Sequence, residues 1–137
     1  PEMVAIAREK LAEAGTVNIE AQVAAPDSAD LPEGPFDAVI ALNLLHLLPE
    51  RAAALADIAE SLRPGGLFMS KTPCLSGPWR GLAPVVWAFR ALGKAPDFRF
   101  LPAARLERDI ARAGFEILEN TAESGRFPRR FIVARKP

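Results

Sequence analysis

The single histidine of this chain, His46, follows directly on an apolar run and is the side chain best suited to move a proton near neutral pH. An imidazole ordinarily titrates near about 6.5, so His46 is a candidate catalytic base for a substrate hydroxyl. The same residue equally suits a helix start, hydrogen-bonding neighbouring backbone. Asn43, Leu44 and Leu45 lie just before it, where the run Phe36 to Leu42 ends. Ligands of open α/β sheets gather at the carboxyl ends of strands, which makes Asn43 and Leu44 candidate binding residues. Asp27 and Ser28 sit in turn chemistry between Pro26 and Pro35, where an aspartate readily caps a turn. Gly65 and Gly66 end a helical pattern instead of opening one, so they do not form a phosphate-cradling turn. No metal site is expected. The lone cysteine, Cys74, cannot form an internal disulfide.

Those residues sit in an ordinary soluble composition. Half of the 137 residues are hydrophobic, a quarter are charged, and 17 basic residues offset 17 acidic ones. Disorder and a global pull toward nucleic acid or anionic lipid are therefore disfavoured. Arg80, Arg90, Arg99, Arg105, Arg108 and Arg112 are dispersed among carboxylates and apolar residues, unlike a phosphate-binding stripe. The length suits one domain that buries roughly two thirds of its unfolded surface. A nearly charge-free stretch such as Gly81 to Phe89 is about half a bilayer span. With no leader pattern and one cysteine, a cytoplasmic location is the default expectation.

The elements that must position these residues follow from periodicity. Met3, Ile6, Ala7, Leu11 and Ala14 form a helical stripe that predicts a helix over Met3 to Ala14, closed by Gly15. Its first turn lacks an upstream cap, so the chain is expected to begin in mid-fold. Thr16 to Val23 alternates with period two and predicts a strand. Phe36 to Leu42 is nearly all apolar, as expected of a central strand buried on both faces. From Pro49, the residues Ala52, Leu55, Ile58, Ala59 and Leu62 recur at helical spacing until Arg63-Pro64-Gly65-Gly66 stops them, and the strand Leu67 to Thr72 follows. Strand, helix and strand make a βαβ unit.

Pro73 to Phe100 breaks the alternation, with an apolar helix over Leu82 to Leu92. Trp79, Trp87 and Phe89 in that insertion suit either a lid over an apolar substrate or core packing. A helix over Pro102 to Ala113 and a strand over Phe115 to Asn120 follow. The last strand, Arg130 to Arg135, is joined by too short a connection for a crossover, so it should run antiparallel to its predecessor.

Five phrases, in order and spacing, resemble class I S-adenosylmethionine-dependent methyltransferases, particularly the small-molecule branch that includes quinone-biosynthesis enzymes. They are Pro1-Glu2-Met3 with Ala7-Arg8; Asp27-Ser28-Ala29-Asp30-Leu31-Pro32; Phe36-Asp37-Ala38-Val39 through Asn43-Leu44-Leu45-His46-Leu47-Leu48-Pro49; Leu62-Arg63-Pro64-Gly65-Gly66; and Ala113-Gly114-Phe115. The resemblance implies an α/β, Rossmann-like sheet, mostly parallel with an antiparallel terminal strand, in a single partial domain over residues 1–137. It implies S-adenosylmethionine as cofactor and a small-molecule acceptor, apolar where the aromatic insertion serves as its lid. Asp27 would accept from the adenine amino group, the backbone of Ser28 would reach the ring, and Asn43 and Leu44 would face the methionine end. The insertion over 73–100 would cover the substrate.

The family's first two strands and its G-x-G-x-G turn have no counterpart in these residues. Cofactor binding is therefore expected to need upstream residues, and a non-catalytic remnant or interaction module of the same fold is the alternative reading. The strand at Thr16 to Val23 would lack its sequential neighbours and is expected to find an edge elsewhere, with a strand-mediated homodimer favoured over closure onto Phe36 to Leu42.

Overall fold

Helix α2 (Arg51–Ser61) stops where Leu62 turns to extended backbone, and the strand that follows, β2 (Leu62–Pro73), organises the sheet. In the computed structural model, residues 2–24, 32–74, 101–123 and 128–137 are described. The chain divides into two units, Pro1–Pro32 and Glu33–Pro137. In the second unit, β1 (Phe36–Leu42) pairs parallel to β2 in the expected βαβ arrangement. Their register passes from Phe36 opposite Leu62 to Ala38 opposite Leu67, so Arg63 to Gly66 form an irregular excursion of β2. Gly65 meets that demand with a φ of 78°, a left-handed backbone that a side chain would strain. The Gly65 N–H donates to the Lys136 carbonyl at 2.8 Å and the Lys136 N–H to the Gly66 carbonyl at 2.9 Å.

Helix α3 (Ala103–Arg112) precedes β3 (Glu116–Glu123), which forms an antiparallel pair with β4 (Arg129–Arg135). β4 also pairs antiparallel to β2, giving the four-stranded order β1-β2-β4-β3. Leu55 of α2 and Leu106 and Ile110 of α3 are buried with Phe68 of β2, Ile132 and Ala134 of β4, and Phe115. Alternation puts Phe68, Ser70 and Thr72 on that helix-covered face. Ile40 and Leu42 of β1 point the other way and stay 59% and 61% exposed.

Two expectations are corrected here. Phe36 to Leu42 is an edge strand of the described sheet, with Ala41 alone fully buried, instead of a central strand buried on both faces. Its apolar composition describes the side chains, whereas burial on two faces needs neighbours that the described residues do not supply. Thr16 to Val23 forms no strand, and Val17 is 98% exposed. Alternation alone cannot satisfy backbone N–H and C=O groups without a paired edge. The direction of the strands is as expected: β1, β2 and β3 run one way and the terminal strand β4 alone runs against them, pairing antiparallel on both its sides.

The first unit contains α1 (Glu2–Glu13), closed by Gly15 at φ 61°, with Met3 82% and Ile6 51% exposed. The Arg8 Nε–H donates to the Ala21 carbonyl at 2.8 Å and ties the following segment to the helix. The predicted helix over Leu82 to Leu92 and its aromatics lie outside the described residues. Among the described residues, no helix is long and apolar enough to cross a membrane.

Two substitutions test this account of the sheet. Phe68→Ala should cost about 3–5 kcal/mol, as emptying a fully buried aromatic site does. In Gly66→Ala, the new Cβ would stand 2.8 Å from the Arg63 carbonyl oxygen and 3.1 Å from Leu62 Cδ2. Such crowding against backbone should cost about 1–3 kcal/mol. Urea unfolding of each variant beside the parent measures both losses.

Candidate functional site

The backbone leaves β1 through Asn43, whose φ of 53° is a left-handed conformation that asparagine tolerates better than most residues. Its N–H donates to the Lys71 carbonyl at 2.8 Å, continuing the contact with β2 by one residue. The Leu44 carbonyl then accepts from the Leu47 N–H at 2.9 Å, closing a tight turn. That turn buries Leu45 completely and leaves His46 6% exposed. Asn43, Leu44 and His46 are thus gathered in one loop at the carboxyl end of β1, as the sequence predicts. The two remaining candidates, Asp27 and Ser28, lie outside the described residues.

Burial disfavours the imidazolium and pushes the pKa of His46 below its ordinary value. A neutral imidazole near pH 7 can accept a proton. Its burial also means that a substrate must reach it inside the domain, which equally suits the structural role weighed for it above. The Asn43 N–H, committed to Lys71, is not available to a ligand, whereas the exposed side-chain amide of Asn43 is.

Three features of the surroundings were not visible in the sequence. Arg51, the first residue of α2, donates to Asp109 Oδ2 of α3 from Nη2 at 2.6 Å and Nε at 3.0 Å. Their side chains are only 9% and 17% exposed. Residues so far apart in sequence give no local sign of such a pair. Ser70 Oγ and Thr72 Oγ1 are fully buried without a hydrogen-bond partner among the described residues. A strand of mixed small polar and apolar residues does not announce which set faces inward. Cys74, also buried, has its thiol pushed up to about 11, chiefly by desolvation, with Arg130 opposing and Glu107 adding to the rise.

Both titrations give expected outcomes. Because the folded pKa of His46 lies below that of the unfolded chain, the unfolded state binds its proton first as pH falls. His46 therefore contributes a loss of stability that begins near its ordinary value of 6.5 and grows on further acidification. The parent minus His46→Gln difference in unfolding free energy should shift in that direction between about pH 7.5 and about pH 5. For Cys74, a value near 11 leaves roughly one thiol in a thousand ionised at about pH 8. Native labelling by a disulfide reagent should be at least about a hundredfold slower than labelling in denaturant.

Comparison with known proteins adds sequence and fold relatives to this geometry. A family model described as a methyltransferase domain matches residues 1–66. A highly reducing polyketide synthase of a Fusarium species is 31% identical over 87 residues, 61% of this chain but 3% of that protein. An uncharacterized chloroplastic methyltransferase of Arabidopsis thaliana is 44% identical over 55 residues, 39% of this chain and 16% of its own length. The chain thus spans a small part of these relatives. Among solved structures, a Bacillus halodurans protein proposed to be a methyltransferase superposes with a TM-score of 0.78 at 12% identity, covering 99% of this chain and 79% of that one. The [4+2]-cyclase SpnF gives 0.77 at 20% identity, over 98% of this chain and 62% of that one. PigF, solved with SAH, gives 0.67 at 25% identity, over 100% of this chain and 41% of its own. With the expected motifs in order and this sheet behind them, the chain is similar to methyltransferase domains in sequence over residues 1–66 and shares the fold of class I S-adenosylmethionine-dependent methyltransferases.

Proposed function

We propose that this protein takes part in methyl transfer from S-adenosylmethionine to a small-molecule acceptor. The observation that carries the reading is the loop at the carboxyl end of β1, which collects Asn43, Leu44 and His46 where this fold family meets its ligands. S-adenosylmethionine would supply an electrophilic methyl group. The chain's own part is to orient the methionine end through the exposed Asn43 amide and the Leu44 backbone, and to keep a dry wall behind it with the buried Leu45. Asp27 and the backbone of Ser28 are proposed to hold the adenine.

His46 would accept the proton released by the acceptor. Turnover in His46→Ala should then fall by about two orders of magnitude while cofactor affinity stays close to the parent's. Retained turnover would make His46 structural.

A second reading is an interaction module that uses the fold without the cofactor. The neighbouring cyclase adds that this fold hosts other chemistry. An apolar acceptor and a homodimer through the exposed Val17, Ile19 and Val23 also remain within the proposal, and sedimentation equilibrium measures the second.

Calorimetry with S-adenosylhomocysteine separates the two readings. Submillimolar binding, weakened at least about tenfold by Asp27→Ala with folding nearly unchanged, is the expected result. Absence of binding by this chain and by the longest protein containing it would overturn methyl transfer.

A further inference from the structure

The loop from Asn43 to Glu50 is anchored by ladder hydrogen bonding at its first residue, whereas at its far end the Glu50 carbonyl accepts from the Ala54 N–H at 3.1 Å, a bond that ties it to α2 alone. Asn43 is tied to β2 through Lys71. At the other end Glu50 stands at the helix start with no side-chain cap bond, and the first turn of α2 carries no acidic residue to favour the helix dipole. What holds that end is the next residue. Arg51 reaches from α2 to α3 and places two N–H donors on Asp109 Oδ2, at 2.6 and 3.0 Å, in a nearly buried setting.

We infer that Arg51 and Asp109 are positioning residues for the candidate site, acting as the clamp that fixes the far end of the loop carrying Asn43, Leu44 and His46. The inference rests on the reading of that loop as the ligand-binding edge. It assigns no chemistry to either residue. A guanidinium with two donors on one carboxylate oxygen constrains direction as well as distance, and its low exposure removes the competition from water that weakens surface pairs. Between the ladder bond and this clamp, Leu45 and His46 are held buried. With the clamp released, the first turn of α2 is no longer fixed to α3, and the loop turn that leads into it loses that support.

Amide hydrogen exchange on the full chain tests this, because the two loop hydrogen bonds can be read separately from the sheet. In Asp109→Asn, the Asn43 and Leu47 amides should exchange at least about tenfold faster, while amides of Phe68 and Ser70 in β2 change by less than about twofold. Arg51→Lys, which keeps the charge and removes the paired donors, should show the same local pattern and guards against a poorly folded first variant. In both, S-adenosylhomocysteine affinity should fall at least about fivefold at a temperature where the sheet amides remain protected.

Faster exchange spread equally over loop and β2 would overturn the clamp and make the pair a support of helix packing alone. Unchanged loop exchange would overturn it as well. If the parent binds no S-adenosylhomocysteine, the cofactor reading fails on its own, and the exchange comparison still decides whether the pair holds the loop.

Discussion

The inner face of β2 is the constraint on which the sheet unit depends. β2 is paired on both edges, so a residue on its inner face meets β1 on one side, β4 on the other and the helices above. Phe68 occupies that position, fully buried, with its ring centroid 5.2 Å from that of Phe115 at a 30° tilt. One aromatic pair thereby joins the middle of the sheet to the turn that leads from α3 into β3. The registers follow from it: Val39 and Ala134 stand opposite Phe68, and Ala41 and Ile132 stand opposite Ser70. A slip of one residue would turn Phe68, Ser70 and Thr72 toward the opposite face and break the side-chain layers of both β2 pairings at once.

Polar groups accumulate toward the carboxyl end of that same face. Thr72 and Cys74 lie beyond Phe68 along the chain of β2, and Arg51 is near enough to Cys74 to act on its thiol. An interior meant only for stability would favour apolar side chains there, because buried hydroxyls and charges lose hydration that they recover only through good partners. Placing them at the strand ends keeps the apolar seal near Phe68 and concentrates polar atoms where the fold family meets its ligands. The outer ion pairs differ in kind. Arg63 with Asp37 and Arg135 with Glu116 are about half exposed or more, and such pairs add little beyond local solubility.

The sequence by itself determined the local elements. Helical spacing after Pro49 and Pro102, the glycines at 65, 66 and 114, and the apolar runs leading from Phe36 and Leu67 carry their information within a turn or two of chain, so α2, α3 and the βαβ unit were legible. So was the antiparallel closing pair, because a connection too short for a crossover permits nothing else. The ordered phrases likewise pointed to the fold family and to Asn43, Leu44 and His46 in one loop.

What only the tertiary structure decided was which face, edge or partner each residue received. Thr16 to Val23 has the pattern of a strand and forms none, since pairing needs a second edge. Phe36 to Leu42 reads as central yet lies at an edge, with Ile40 and Leu42 exposed. His46 gives no sign in sequence that its imidazole is buried, and Arg51 gives none that Asp109 awaits it on another helix. Periodicity is a property of one segment, whereas burial and ion pairing are properties of two segments brought together, and that meeting is settled by packing around Phe68.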